Sequence, residues 1–148
     1  MDVMNTPNSI AYTVTAHTTG GRGGRVVTDD PALELDMRMP PELGGPGGGA
    51  NPEQLFAMGY GACFQGAMGL AGKELGISTA DSVVRTTVGI GPEGESFAIS
   101  VDIRAVIPGV ALEDAQRLLD RTHELCPYSK ATRGNVPVVV TAVESFED

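Results

Sequence analysis

A cysteine inside a long charge-free stretch is the first candidate for chemistry. Cys63 lies in the segment GACFQGAMG, and the window from Gln54 to Ala71 around it contains no charged residue. A free cysteine in such a window often serves only as a small buried apolar residue. A reactive cysteine needs a nearby positive charge instead, because the thiolate is the nucleophile. Both interpretations stay open, and a charge that activates Cys63 has to come from elsewhere in the fold.

The second cysteine, Cys126, precedes a proline in the segment ELCPYSKATRGN. Proline is favoured at the first position of a helix, so Cys126 is predicted to cap a short helical turn that runs through Thr132 and ends at Gly134. The amino end of a helix favours a thiolate. The alternative is that Cys126 is an apolar residue that closes the preceding helix. The wide separation of the two cysteines does not match the paired short spacing of a zinc site.

Two charged residues are further candidates, although each has a simpler interpretation. Arg22 lies in the turn GGRGG, where an arginine is usually a solvated surface residue. The flanking glycines do let the backbone place its guanidinium in a confined space. Glu53 is explained equally well as an acid in the first turn of a helix, where the helix dipole favours it.

Composition restricts the class of protein. The chain has 148 residues, a net charge of −9 and an isoelectric point near 4.6. An acidic chain repels phosphate backbones, so nucleic acid is not an expected partner. The first residues, MDVMNTPNSIAY, show no signal-peptide pattern, so we expect a cytoplasmic protein without a structural disulfide. The apolar window contains four glycines and two glutamines, which favours a buried core helix over a membrane span.

The first third of the chain is predicted to form three strands. Apolar and polar residues alternate from Ile10 to Ala16, and the strand RVVT follows the turn TTGGRGG. The alternation returns from Leu33 to Met39. The segment PPELGGPGGGA is predicted to be a loop because it is rich in proline and glycine.

A long helix is predicted after this loop. Asn51 is a favourable cap, Pro52 suits the first helical position, and Glu53 adds an acid to the first turn. The helix runs to Leu75 and ends at Gly76. Because it is apolar on nearly every side, we expect other elements to enclose it.

The remaining elements complete an α+β pattern. Strands from Ser82 to Ile90 and from Phe97 to Ile107 are joined by the turn GPEGE. A second helix ends near Leu125, and a last strand covers Val136 to Val143. This helix is predicted to bury one stripe, formed by Leu112, Ala115, Leu118, Leu119 and Thr122. The order βββ-α-ββ-α-β indicates antiparallel sheets packed around a long central buried helix, in a single domain spanning residues 1–148.

Three segments carry a resemblance to a known family. NPEQLFAMGYGACF, CPYSKATRGN and TTGGRGGR strongly resemble the organic hydroperoxide resistance (Ohr) subfamily of the OsmC-like family. The resemblance covers almost the whole chain, and CPYS with ATRGN points to this subfamily rather than to its OsmC relatives. It implies the OsmC-like fold and an intertwined homodimer with sites at the subunit interface. Gly23 departs from the pattern, because family members often carry an acid there, and this change could loosen the turn.

The resemblance also implies an activity. It implies a thiol peroxidase of the oxidative stress response, which reduces organic hydroperoxides to alcohols. Cys63 is then the peroxidatic residue and Cys126 its resolving partner, while Arg22 and Glu53 fall on the catalytic Arg and Glu positions. The implied reductant is a lipoyl-type dithiol, with no metal or flavin cofactor.

Elementary chemistry is consistent with these roles. Burial penalises a thiolate, and a guanidinium reverses that penalty while it donates hydrogen bonds to the peroxide oxygens. A carboxylate such as Glu53 fixes the orientation of the guanidinium. However, ten residues of ideal helix span about 15 Å, so Glu53 cannot reach Cys63 along one straight helix. Either the helix begins later than Pro52, or Arg22 bridges the gap, or a second subunit completes the site.

Two other functions remain compatible with the sequence. One is a redox-sensing or binding protein that uses the same cysteine pair as a switch without turnover. The other is a structural dimer in which the cysteines only pack. Turnover with a hydroperoxide and a dithiol separates the first from an enzyme, and thiol titration before and after peroxide treatment separates the second.

Overall fold

The computed structural model describes residues 4–147 and confirms the predicted α+β class and element order. The short helix α3 is the turn predicted after Cys126. The chain divides after Leu55 into two compact units, which are described in turn, and the single domain remains a prediction. The elements are β1 (Ala16–Thr19), β2 (Arg25–Asp29), β3 (Ala32–Asp36), α1 (Pro52–Leu75), β4 (Val83–Glu93), β5 (Ser96–Val106), α2 (Leu112–Leu125), α3 (Pro127–Thr132) and β6 (Val138–Ala142).

The first unit contains an antiparallel sheet in the order β1-β2-β3. Its first strand is shorter than predicted, because residues 10–15 are not in a strand and Ile10 is exposed. The reason is the register: Ala16 pairs with Thr28, and β2 ends at Asp29. Residues before Ala16 therefore have no strand beside them in this sheet. The third strand also ends early, at Asp36, and Met37 forms only an isolated bridge.

Helix α1 has the predicted bounds, because both ends are encoded locally. The side chain of Asn51 accepts the backbone N–H of Gln54 at 2.8 Å, and the Gln54 side chain accepts the N–H of Asn51 at 3.1 Å. This reciprocal pair is a capping box. At the other end Gly76 adopts the left-handed backbone with φ 68°. The helix begins at Pro52, so the alternative of a later start is wrong.

The second unit contains a three-stranded sheet in the order β4-β5-β6. Strands β4 and β5 form a long antiparallel hairpin whose last pair is Glu93 with Ser96. Strand β6 lies parallel to β5, with Val101 opposite Val138, so the prediction of purely antiparallel sheets is wrong. The physical reason is the connection: α2 and α3 lie between β5 and β6, and a helical crossover returns the chain in the same direction.

The core of the second unit lies between the sheet and the helices. Its buried hydrophobic residues lie mainly on α1, β5 and α2, with Cys126 after α2 and Ala142 on β6. The predicted stripe of α2 is confirmed at four positions, which are Ala115, Leu118, Leu119 and Thr122, whereas Leu112 is exposed. Glycine allows a close approach at Gly61, where an added Cβ would lie 3.0 Å from Thr86 Oγ1 on β4.

Helix α1 is buried on one face only, so the prediction of an enclosed helix is wrong for the single chain. The buried face carries Tyr60, Phe64, Ala67, Met68, Ala71 and Gly72. On the opposite face, Met58 and Leu70 are 63% and 64% exposed. Ala62 and Gly66 lie between them and are also exposed, so every fourth residue continues an apolar stripe. Within residues 4–147, no helix has the length and apolar character that crossing a membrane requires.

Candidate active site

The two cysteines occupy different kinds of position in the second unit. Cys63 is half-buried on α1, next to the fully buried Phe64. Cys126 is fully buried at the junction of α2 and α3, where its extended backbone turns the chain from one helix into the next. Its N–H donates to the Thr122 carbonyl at 2.8 Å, and its carbonyl accepts the N–H of Lys130 at 2.9 Å. Backbone bonds to both helices therefore hold Cys126 at a corner.

This corner brings the two sulfur atoms together. The thiol of Cys126 donates to Cys63 Sγ with the sulfurs 3.6 Å apart, and both cysteines are free thiols. A disulfide has an S–S distance of about 2.05 Å, so the sulfurs need to approach by about 1.5 Å to form one. The geometry therefore suits reversible disulfide formation with little movement of the backbone. In residues 4–147, no cluster of three His, Cys, Asp or Glu side chains could hold a metal ion.

The surroundings of Cys63 within this unit do not favour a thiolate. Burial raises the pKa of the Cys63 thiol above its ordinary value. The backbone N–H of Tyr128 acts in the opposite direction and lowers this pKa, while Cys126 raises it further. Among the described residues of the second unit, no cationic group lowers the pKa of Cys63. A nucleophilic Cys63 therefore requires a positive charge in addition to these groups.

An aromatic cluster borders the same region. The rings of Phe56 and Tyr60 stack on α1 with centroids 5.8 Å apart. The ring of Tyr128, on α3, lies 5.8 Å from Tyr60 and 6.3 Å from Phe56. Tyr60 is fully buried, so the accessible apolar wall consists of Phe56 and the half-exposed ring of Tyr128, whose backbone N–H bonds to Cys63. Such a wall suits an alkyl or aryl group better than water.

In the first unit, the structure pairs the two predicted charged residues. Arg22 donates from Nη1 to Glu53 Oε2 at 3.0 Å and from Nη2 to Oε1 at 2.9 Å. The Arg22 side chain is 37% exposed and that of Glu53 15% exposed. The hydrogen bonds from Arg22 lower the pKa of Glu53, and those to Glu53 raise the pKa of Arg22. This bidentate arrangement fixes the plane of the guanidinium and leaves part of it free to bind another group.

A residue that sequence analysis did not single out supports the Arg22 turn. Arg38 Nη1 donates to the carbonyls of Gly23, Gly24 and Met37 at 3.2, 3.3 and 2.6 Å. Only glycine fits at Gly24, because a Cβ there would lie 1.7 Å from the Thr19 carbonyl oxygen. Arg38 therefore restrains the turn that contains Gly23.

Comparison with known proteins places the chain in a family. Residues 45–141 match the family of OsmC-like proteins. The organic hydroperoxide resistance protein of Xanthomonas axonopodis pv. citri is 46% identical over 93% of this chain and 99% of its own length. The chain belongs to the Ohr subfamily of OsmC-like proteins.

Solved structures of Ohr proteins show the same fold. The Bacillus subtilis protein OhrB is 39% identical, with a TM-score of 0.82 over 90% of this chain and 100% of its own. A Vibrio cholerae relative is 43% identical, with a TM-score of 0.87 over 96% and 98% of the two chains. Captopril occupies one of the active sites of that Vibrio protein. The chain is therefore an Ohr homologue with two free cysteines.

His123, on α2, is a half-buried base three residues before Cys126, and sequence analysis did not single it out. Its Nδ1 lies 2.7 Å from Ser129 Oγ. Burial lowers the pKa of His123 below its ordinary value of 6.5, the charge of Arg133 lowers it further, and that of Asp120 raises it. The unfolded chain therefore binds a proton at this residue more readily than the folded chain does.

This difference predicts how stability depends on pH. The contribution of neutral His123 to the free energy of unfolding is complete above pH 6.5. It is lost as the pH falls through that value towards the lower pKa of the folded chain. We expect His123→Asn to flatten the fall in the free energy of unfolding between about pH 7 and 5. Urea unfolding across this range measures the effect. His17→Asn, at an exposed position of β1, is the matched control, and equal pH profiles for His123→Asn and the unaltered chain would contradict the prediction.

Proposed function

We propose that the chain is a thiol peroxidase that reduces organic hydroperoxides to alcohols. The observation that carries this proposal is the 3.6 Å distance between the sulfurs of Cys63 and Cys126 in a fold that holds both as free thiols. The relatives are organic hydroperoxide resistance proteins, which supports this substrate class. The apolar wall of Phe56 and Tyr128 supports the same class, since it favours an apolar substituent over hydrogen peroxide and the Tyr128 backbone bonds to Cys63.

The reaction has two steps in the protein and one with a reductant. The Cys63 thiolate attacks one peroxide oxygen, the O–O bond breaks, and the other oxygen leaves as an alkoxide that is protonated to the alcohol. This leaves Cys63 as a sulfenic acid. Cys126 then displaces the oxygen as water and forms the Cys63–Cys126 disulfide. A dithiol, which we propose is of the lipoyl type, reduces the disulfide and is itself oxidised to a cyclic disulfide.

Arg22, oriented by Glu53, is proposed to supply the positive charge that Cys63 lacks. The guanidinium offsets the desolvation that raises the pKa of Cys63, and it donates hydrogen bonds to the peroxide as charge develops. The double hydrogen bond to Glu53 supports this role because it fixes the orientation of the guanidinium before substrate binds. We assign Glu53 to positioning, since it acts through Arg22.

The family resemblance suggests an intertwined homodimer, and two exposed apolar surfaces support it. One is the stripe of α1 that contains Met58 and Leu70. The other is the segment before β1, where Ile10, Tyr12 and Val14 are exposed although they alternate with polar residues as in a strand. Surfaces of this kind mark contacts with another protein surface. A second copy of the chain is the occupant that the family favours.

The role of Cys126 is tested by Cys126→Ser. We expect this variant to consume one equivalent of an organic hydroperoxide and then to stop at the Cys63 sulfenic acid, which excess peroxide oxidises to the sulfinic acid. The unaltered chain should instead form an intramolecular Cys63–Cys126 disulfide. Mass spectrometry of the treated proteins distinguishes these products. A disulfide formed only between chains, or none at all, would remove Cys126 from the mechanism.

A further inference from the structure

A buried chain of hydroxyl groups joins the helices that carry the two cysteines. The hydroxyl of Tyr60, on α1, lies 2.8 Å from Ser129 Oγ and 3.2 Å from Thr132 Oγ1, both on α3. Ser129 Oγ in turn lies 2.7 Å from Nδ1 of His123 on α2. Tyr60 and Ser129 are fully buried. These hydrogen bonds therefore connect three helices through one serine hydroxyl.

Three members of this hydrogen-bond network each lie three residues from one of the two cysteines. Tyr60 precedes Cys63 by three residues, His123 precedes Cys126 by three, and Ser129 follows Cys126 by three. Tyr60 and Cys63 lie about one turn apart on α1, roughly 4.5 Å along its axis. Cys126 is the residue between α2 and α3, so His123 and Ser129 lie on the turns that flank it. The hydrogen bonds among these hydroxyl groups thus join α1 to the α2–α3 corner, which the 3.6 Å contact between the sulfurs also joins.

Helix α3 depends on such contacts for its position. It has only six residues, and no side chain caps its amino end. A helix this short is not stable by itself, because the cost of its first turn is not recovered over so few residues. The hydrogen bond between Ser129 and Tyr60 is therefore a strong determinant of where α3, and with it Cys126, lies against α1.

Every hydroxyl donor in this hydrogen-bond network has an acceptor. With His123 neutral and its proton on Nε2, the Ser129 hydroxyl donates to Nδ1, and the Tyr60 hydroxyl donates to Ser129 Oγ. The Thr132 hydroxyl donates to the Ser129 carbonyl at 3.2 Å. Each hydroxyl hydrogen then has one acceptor, and loss of Tyr60 or of His123 removes a donor or an acceptor from the buried Ser129 hydroxyl.

We propose that Tyr60, Ser129 and His123 form a clamp that positions Cys126 for attack on the Cys63 sulfenic acid. The clamp rests on the proposed function and adds positioning residues to its second step. In that step the S–S bond forms, the S–O bond of Cys63 breaks, and the oxygen leaves as water with the proton of the Cys126 thiol. The attacking sulfur has to lie in line with the S–O bond, and a misplacement of about 1 Å costs roughly 10²-fold in rate.

The first experiment measures the two steps separately in Tyr60→Phe and Ser129→Ala. After rapid mixing with cumene hydroperoxide, we expect sulfenic acid formation at the rate of the unaltered chain, because neither residue provides charge to Cys63. Disulfide formation should slow by about tenfold or more, and the fraction of Cys63 sulfinic acid should rise accordingly. Thr122→Val is the matched control, because its buried hydroxyl bonds only to the Leu118 carbonyl of its own helix.

The second experiment uses a conservative rescue at His123. An asparagine places an amide oxygen near the position of Nδ1, so His123→Asn keeps an acceptor for the Ser129 hydroxyl while His123→Ala removes it. We expect slow disulfide formation in His123→Ala and a rate close to normal in His123→Asn. Equal rates in the two variants would contradict a positioning role for this hydrogen bond.

A third measurement makes failure of the clamp distinguishable from failure of the peroxidase. The equilibrium between the Cys63–Cys126 dithiol and oxidised dithiothreitol, without peroxide, reports how well the fold pairs the two sulfurs. We expect the equilibrium constant for disulfide formation to fall about tenfold in Tyr60→Phe and to be unchanged in Thr122→Val. Unchanged constants and rates in Tyr60→Phe and Ser129→Ala would overturn the clamp. A lowered constant in a chain that does not react with hydroperoxide would overturn the peroxidase alone.

Discussion

Cys63→Ser is expected to abolish turnover of an organic hydroperoxide while the chain stays folded. A serine hydroxyl does not ionise near neutral pH and is a poor nucleophile towards a peroxide oxygen, whereas a thiolate is a good one. The substitution is nearly isosteric at a half-buried position of α1, so the fold should survive. Loss of hydroperoxide over time, with a dithiol as reductant, measures the effect.

The control for this prediction is Cys126→Ser, which carries the same change at the other sulfur. We expect it to keep the first reaction with hydroperoxide, so that only Cys63→Ser loses the burst of one equivalent. Circular dichroism of both variants verifies that the fold is intact. Substantial turnover by a folded Cys63→Ser variant would show that Cys63 is not the peroxidatic residue.

Arg22→Met is expected to slow reduction of the hydroperoxide by about 10²–10³-fold, by analogy with the loss of a donor in an oxyanion hole. The substitution removes the proposed source of positive charge for the Cys63 thiolate and a hydrogen-bond donor to the leaving oxygen. Glu53→Gln should cost less, because an amide still accepts one hydrogen bond from Arg22 and Glu53 acts only through that residue.

The rate of Cys63 alkylation as a function of pH tests the electrostatic part of this prediction. Loss of Arg22 should move the profile to higher pH, because the thiolate is less stabilised. Arg25→Met is a matched control, since Arg25 also pairs with a glutamate, Glu34, but both side chains are exposed. Profiles that are unchanged in Arg22→Met and Glu53→Gln would show that these residues are ordinary surface charges.

Local signals in the sequence predicted the helices better than the strands. Helix α1 was predicted with its exact bounds, because the capping residue Asn51 and the stop at Gly76 act within one helical turn. Strand pairing depends on distant residues instead. Alternation from Ile10 to Val14 predicted a strand, yet the register of β1 with β2 leaves that segment without a partner in the sheet.

The four candidate site residues were predicted from the family resemblance, whereas the residues that position Cys126 were not. Cys63, Cys126, Arg22 and Glu53 lie in segments that resemble family motifs, and the structure pairs them as two sulfurs and one ion pair. Tyr60 and Ser129 are 69 positions apart, and a tyrosine on an apolar helix is not distinguishable from a core residue by spacing. Their hydrogen bond follows only from the packing of α3 against α1.

Steady-state turnover is the measurement that tests the proposed peroxidase most directly. The purified chain is supplied with excess dihydrolipoamide and, in separate reactions, with tert-butyl hydroperoxide, a fatty-acid hydroperoxide or hydrogen peroxide. We predict many equivalents of organic hydroperoxide reduced per chain, with a higher kcat/KM than for hydrogen peroxide. Consumption of a single equivalent, followed by a stable disulfide that the dithiol does not reduce, would contradict the enzyme and identify a redox switch.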